Sequence, residues 1–210
     1  VPATATEAIE IQKQLRNRVI RTGTVAARNV AGADVSYKND VARAVIVVMR
    51  DLQPVEQVVV EEPIPFPYIP GLLSFREIPP LLSAWRQLKT VPDVVIVDGQ
   101  GIAHPRRLGI ASHLGLLLGV PTIGCAKSRL CGEHQEPPPE RGAWTPLIHK
   151  GETVGAALRT RAGCNVVYVS TGHRISLEGA ISVVLACAPR YRLPEPQRLA
   201  DRLTKQPAKT

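Results

Sequence analysis

The chain has 210 residues, with 26 Lys and Arg against 18 Asp and Glu, a formal charge of +8 and four cysteines. That length sets one domain over residues 1–210 as the expectation, and the positive balance points to a polyanionic partner, nucleic acid first, because Lys and Arg release counterions from phosphates. The cysteines contain no C-x-x-C pair, which excludes a zinc ribbon. No apolar run of about 18 residues exists to form a membrane helix, and the amphipathic start in place of a signal peptide predicts a cytoplasmic protein.

Residues 6–20 place Ala8, Ile11, Leu15 and Val19 at helical spacing and predict an opening amphipathic helix. Three strand-like runs follow: NVAGADVSY (29–37), ARAVIVVM (42–49) and PVEQVVVEE (54–62). The KND turn signal joins the first two into a hairpin or a three-stranded meander. Pro63 ends the third run. Residues 65–77, PFPYIPGLLSFRE, then crowd three prolines, two phenylalanines and a tyrosine into 13 positions of a chain with only eight aromatics. IPPLLSAWRQLK (78–89) reads as a helix with proline in its first turn, where a missing N–H does no harm.

From residue 92 the pattern becomes strand, helix, strand, in DVVIVDG (93–99), RRLGIASHLGLLLG (106–119) and VPTIGCA (120–126). That is a βαβ unit with a buried parallel pair. The polar, Pro-rich residues 131–150 read as a surface loop. Further strands are expected at ETVGAALRT (152–160) and NVVYVST (165–171), a helix at SLEGAISVVLACA (176–188), and a basic, loosely structured tail from about residue 191. A meander followed by alternating α and β elements predicts an α/β protein with a mixed central sheet flanked by helices, in an RNase H-like order. Fold class alone assigns no function.

The chemistry begins with acids placed where acids are costly. Asp34 interrupts the first strand, and Asp98 ends the apolar run VVIVD at the carboxyl end of a buried strand, where open α/β sheets place ligands. Glu77 follows SFR at the start of the next helix. Singly, a strand-end Asp is often a turn or cap, and a first-turn Glu is favoured by the helix dipole. Together, three carboxylates on neighbouring elements make a hard-oxygen site suited to Mg²⁺. Next to Asp98, two glycines, His104 and the pair Arg106 and Arg107 offer close backbone approach and phosphate contacts. Lys127 lies just past a strand end, where an ammonium can neutralise charge developing on a phosphate. His173, between a strand and a helix start, can ligate metal, orient water or cap. His113, inside an apolar helical pattern, belongs to the packing.

The segments AGADVSY, PYIPGLLSFRE, VDGQGIAHPRRLGIASHLGLLLGVPTIGCAKSRLCG and STGHRIS, in that order and with YRLPEPQRLAD near the end, resemble the endonuclease V family, bacterial type, over nearly the whole chain. The resemblance implies an RNase H-like, Mg²⁺-dependent repair endonuclease, with Mn²⁺ able to substitute. Its substrate would be deoxyinosine in single- or double-stranded DNA, cut at the second phosphodiester 3′ of the lesion to leave 3′-hydroxyl and 5′-phosphate ends. It carries Asp34, Glu77 and Asp98 over as metal ligands, Lys127 as phosphate-charge stabiliser and His173 as a metal- or water-orienting group. Gly71, Leu73, Gly109 and Leu130 would line the lesion pocket, with backbone N–H groups meeting O6 and N7 of hypoxanthine. Gln100 departs from the histidine usual in the family's DGHG, and it cannot titrate. In the Pro-rich segment, Pro67 and Pro70 stiffen the loop, so Tyr68 with Ile69 reads as a wedge that enters a base stack at little entropic cost. A monomer is expected. The alternatives are a ribonuclease acting on inosine in RNA and a non-catalytic binder of damaged or branched nucleic acid.

Overall fold

The structure, a computed structural model, describes residues 2–206. Among these residues the elements are α1 (Ala5–Leu15), β1 (Asn29–Lys38), β2 (Val41–Arg50), β3 (Gln53–Pro63), α2 (Leu73–Trp85), β4 (Val94–Val97), α3 (Ile110–Leu118), β5 (Thr122–Ala126), β6 (Trp144–His149), β7 (Glu152–Leu158), β8 (Val167–His173), α4 (Leu177–Cys187) and α5 (Glu195–Thr204). The strands form one eight-stranded sheet in the order β3-β2-β1-β4-β5-β8-β7-β6. β1, β4 and β5 run parallel, and every other neighbouring pair is antiparallel. No helix among the described residues is long and apolar enough to cross a membrane.

The central strands are apolar on both faces because helices cover both faces. In β4, Val94 and Ile96 join the core under α4, while Val95 and Val97 join the core under α2 and α3. β2 divides likewise: Ala44, Ile46 and Val48 face α2, and Val45, Val47 and Met49 lie under α5. This double burial turns the usual strand alternation into the continuous runs VVIV and AVIVVM. All four cysteines are free thiols, with Cys125 and Cys187 buried.

Three expectations need correction. The second helix starts at Leu73, so Pro79 and Pro80 lie inside it instead of in its first turn. The interval 131–150 contains β6, the edge strand paired with β7, and an isolated bridge between Glu133 and Ile148. Most consequentially, the tail expected from about residue 191 holds α5 in its described part; residues 207–210 lie outside the described residues. A ten-residue helix is marginal alone. Here Leu199 and Ala200, with Leu203, are stabilised by docking on Val45, Val47 and Met49. The docking is close because position 32 has no side chain: a Cβ there would stand 2.1 Å from the Pro196 carbonyl carbon. Buried Gln197 donates to the Cys125 carbonyl at 2.8 Å, and Ser36 and Arg43 donate to the carbonyls of Thr204 and Leu203 at the helix end.

Candidate active site

Strand register brings the first two acids together. Ala33 pairs with Val97 in the parallel β1/β4 ladder, so Asp34 and Asp98, each one residue further on, emerge side by side at the same end of the sheet. The Asp98 N–H donates to the Ala33 carbonyl at 3.0 Å, which holds the ladder closed up to the acids. Val97 pairs in turn with Gly124 of β5, and Lys127 leaves the end of that strand and reaches back. Its ammonium donates to Asp98 Oδ2 at 2.5 Å and to Asp201 Oδ1 at 2.6 Å. Asp201 comes from α5, and Lys205 binds its other oxygen at 2.7 Å. Asp34, Asp98 and Asp201 thus each place a carboxylate oxygen within 4.8 Å of the others. Glu77 stands behind this triangle on α2. It is buried, and it accepts the Tyr37 hydroxyl at 3.1 Å, while Arg76 lies over the Tyr37 ring at 4.2 Å.

The charges strain against their surroundings. Burial, followed by the neighbouring Asp98, pushes Asp34 up to about 7. Burial likewise pushes Glu77 up to about 8, against the hydrogen bond from Tyr37, with Asp34 and Asp98 adding to the rise. Partial burial pulls Lys127 down, but its hydrogen bonds to Asp201 and Asp98 outweigh that and hold the ammonium above its ordinary value. Asp34 and Glu77 thus resist ionisation chiefly because they are buried, whereas partial burial of Asp201 is outweighed by its hydrogen bonds from Lys127 and Lys205, which hold it below the usual carboxylate range; hard oxygens in such a group suit a divalent cation, which favours the ionised form. The three oxygens are close enough to share one ion.

A cavity of about 120 Å³ is lined by residues that adjoin the acids in sequence, Gln100 two positions after Asp98 and Leu73 about one turn before Glu77. Its wall includes Tyr68, Gly71, Leu73, Gln100, Gly109 and Leu130. Both helices that meet there, α2 and α3, start without a side-chain cap; the Phe75 and Ala111 N–H groups bond the Leu72 and Gln100 carbonyls, which leaves those of Leu73 and Ile110, both wall residues, without an intrahelical partner. Tyr68 is 69% exposed, and Pro67 and Pro70 flanking it are exposed as well. The loop turns into α2 at Gly71, whose φ of +77° suits only glycine at low cost. Its carbonyl is held by three donors: Gln12 Nε2 at 2.9 Å, Arg106 Nη2 at 2.8 Å and His104 Nε2 at 3.0 Å.

The family model for endonuclease V matches residues 11–202. The chain belongs to the endonuclease V family. Curated endonuclease V proteins of Trichormus variabilis and Roseiflexus sp. are 55% and 53% identical, each over 96% of this chain and over 94% and 92% of their own lengths. The crystal structure of the Streptomyces avermitilis endonuclease V superposes with a TM-score of 0.93 at 44% identity, covering 97% of this chain and 92% of that one. The Ciona intestinalis endonuclease V, in complex with a 23mer DNA containing an inosine followed by a ribo-adenosine, superposes at 0.84 with 29% identity and 95% coverage of both chains. The protein is therefore a nuclease on an RNase H-like fold.

Measured against the endonuclease V resemblance, the structure brings Asp34, Asp98 and Lys127 together with Glu77 behind them, and gathers Tyr68, Ile69, Gly71, Leu73, Gly109 and Leu130 around one cavity. His104 and Arg106, expected at phosphate, both donate to the Gly71 carbonyl, which ties them to the loop that carries Tyr68. Arg106 also donates to the Gln12 side chain. His173 is not brought to the site. β8 runs antiparallel to β5 and pairs His173 with Thr122, at the end of β5 remote from Lys127. There its Nδ1 accepts the Ile20 N–H at 3.2 Å, a buried structural contact. The third carboxylate of the cluster is Asp201, to which the sequence motifs assign no role. The signal available was RLADRLT with prolines ahead of it: a short amphipathic helix with one acid on its inner side.

Proposed function

We propose that the protein is a Mg²⁺-dependent repair endonuclease that extrudes hypoxanthine from DNA and hydrolyses the second phosphodiester 3′ to it. The observation that carries this reading is the joint placement of a carboxylate triangle and a donor-lined cavity on the same two short segments. Asp98 and Gln100 are two residues apart, and α2 carries Leu73 at the cavity wall and Glu77, about one turn later, behind the acids. A base held in the cavity therefore leaves its own backbone running past the acids.

Asp34, Asp98 and Asp201, supported by Glu77, would hold the divalent cation, Mg²⁺ or Mn²⁺ in its place, and such an ion supplies Lewis-acid charge to the phosphate and lowers the pKa of water. Lys127, protonated at neutral pH and fixed by two carboxylates, adds positive charge where negative charge grows on the phosphate. Water adds to phosphorus and the bond to O3′ breaks. The departing oxygen takes up a proton to become the 3′-hydroxyl, and the phosphate stays on the 5′ end of the other fragment.

Selection of the base follows from donors. Uncapped N–H groups at the starts of α2 and α3 suit the O6 and N7 acceptors of hypoxanthine and oppose the amine of adenine, while a tight wall opposes the additional amine of guanine. Tyr68 on its proline-stiffened loop fills the gap left in the stack.

The test uses end-labelled strands carrying one deoxyinosine, or one inosine in RNA, incubated with the wild type and Asp34→Ala in Mg²⁺ or EDTA. The expected result is one cut in the deoxyinosine DNA, dependent on Mg²⁺ and absent with the variant. No cleavage of either strand in Mg²⁺ defeats the reading, and efficient cleavage of RNA alone transfers the activity to inosine-containing RNA.

A further inference from the structure

Besides exposed Tyr68, the cavity wall carries four polar side chains: Gln12, Ser74, Gln100 and His104. Three of them are engaged by the framework. Gln12 donates to the carbonyls of Gly71 and Leu108 and accepts from Arg106. His104 meets the Gly71 carbonyl through Nε2 and accepts the Arg106 N–H at Nδ1. Ser74 Oγ lies 3.1 Å from His113 Nδ1.

Gln100 differs. Its Nε2 donates to the Ser128 carbonyl at 3.0 Å, which sets the orientation of the amide, and its backbone carbonyl accepts the Ala111 N–H. Its Oε1 is buried without a partner, in a residue only 8% exposed. Of the four buried side-chain atoms that lack a partner among the described residues, this alone belongs to the cavity wall. A buried acceptor left without a donor is disfavoured, so the wall is incomplete until a ligand brings an N–H.

The remainder of the wall offers the complement. Leu73 and Ile110, both in the wall, open helices that no side chain caps, and their N–H groups have no intrahelical partner, so the wall offers two donors beside one unspent acceptor. A fitting base presents one N–H beside two acceptors. Hypoxanthine does so through N1–H, O6 and N7, whereas adenine presents an acceptor at N1 and an amine at C6. We propose that Gln100 Oε1 accepts the N1–H of the extruded hypoxanthine, which makes Gln100 a specificity-determining residue of the cavity. This rests on the cavity being the base pocket of the proposed function. Adenine is then rejected twice, at N1 by two facing acceptors and at C6 by two facing donors. Unlike the histidine usual at this place, the amide keeps its acceptor at every pH.

Fluorescence anisotropy in EDTA separates binding from cleavage. Wild type and Gln100→Met are titrated with single strands carrying hypoxanthine, 1-deazahypoxanthine, in which C–H replaces N1–H, or adenine. The expected result is that the wild type binds hypoxanthine about 10-fold more tightly than its 1-deaza analogue, while Gln100→Met binds the two alike. A wild type indifferent to the 1-deaza replacement overturns the proposal, as does a variant that keeps the full preference. Because the 1-deaza ring carries its proton on O6 or N3, the preference is assigned to N1–H through the variant, and Gln100→Leu takes the place of Gln100→Met if that variant does not fold. A wild type that fails to prefer hypoxanthine over adenine defeats the pocket reading as a whole, which is a different result from preferring hypoxanthine while ignoring its N1–H.

Discussion

The acid centre and the cavity are built on opposite terms. Asp34 and Asp98 stand on adjacent parallel strands of a doubly buried sheet, and their distance is set by the backbone ladder. The cavity is walled by a loop and two helix starts, and its geometry hangs on the Gly71 carbonyl with its three side-chain donors. Chemistry that tolerates little misplacement is placed on strands. The cavity side depends instead on a loop, from which Tyr68 is held out in solvent.

The comparison can be broken by separating the two regions. The largest effect is expected from Asp98→Asn, which removes an acid from the triangle and loosens Lys127: cleavage in Mg²⁺ falls on the order of 10³-fold, while anisotropy in EDTA shows unchanged binding of the deoxyinosine strand. Loss of binding in parallel with cleavage would show that the regions are not separable. Tyr68→Ala is the converse. Binding of the lesion strand weakens by about 5- to 100-fold, the range for losing one stacking side chain, whereas single-turnover cleavage at saturating protein stays near the wild-type rate. Because Tyr68 is exposed, the melting temperature does not move.

A third test reads the acids through stability. Asp34 and Glu77, raised to about 7 and about 8, contribute stability that is complete at low pH and disappears as the pH rises through those values. His104 and His113, both lowered by burial to about 4, act in the other sense: their contribution is complete above their ordinary 6.5 and is lost toward 4. Above 6.5 only the acids still change. Metal-free protein therefore loses about 2–4 °C of melting temperature between neutral and mildly alkaline pH, and Mg²⁺ cancels the loss by binding the ionised acids. A flat profile in EDTA would remove the case for a strained acid cluster. The smallest effect belongs to His173→Ala. Cleavage and lesion binding remain at wild-type level, and stability drops by about 1 kcal/mol for the lost contact to Ile20; a severe loss of activity would place this histidine back in the reaction.

Much of both regions was legible along the chain. Asp34 and Asp98 stood out because an acid within or ending an apolar run has no packing reason to be there, Glu77 because it opens the expected helix between them, and Lys127 because it follows a buried strand. Tyr68 stood out because prolines surround it in a chain with few aromatics. The meander and the βαβ unit were legible because strand and turn signals are local in sequence. What failed were features whose cause lies elsewhere in the chain. The α2 start at Leu73 runs through prolines that punctuate a helix locally, and α2 is stabilised by packing of Phe75, Ile78 and Leu81.

By itself, then, the sequence determined the family, the meander, the βαβ unit and three of the carboxylates, because these are written in contiguous motifs. Only the tertiary structure decided that α5 is a helix, that Asp201 and not His173 completes the polar centre, and that His104 and Arg106 brace Gly71. A short amphipathic segment has no fixed partner until a sheet with a bare glycine at position 32 receives it, and a histidine's role depends on which end of an antiparallel strand it occupies. Register and docking are long-range facts, and local propensity carries no record of them.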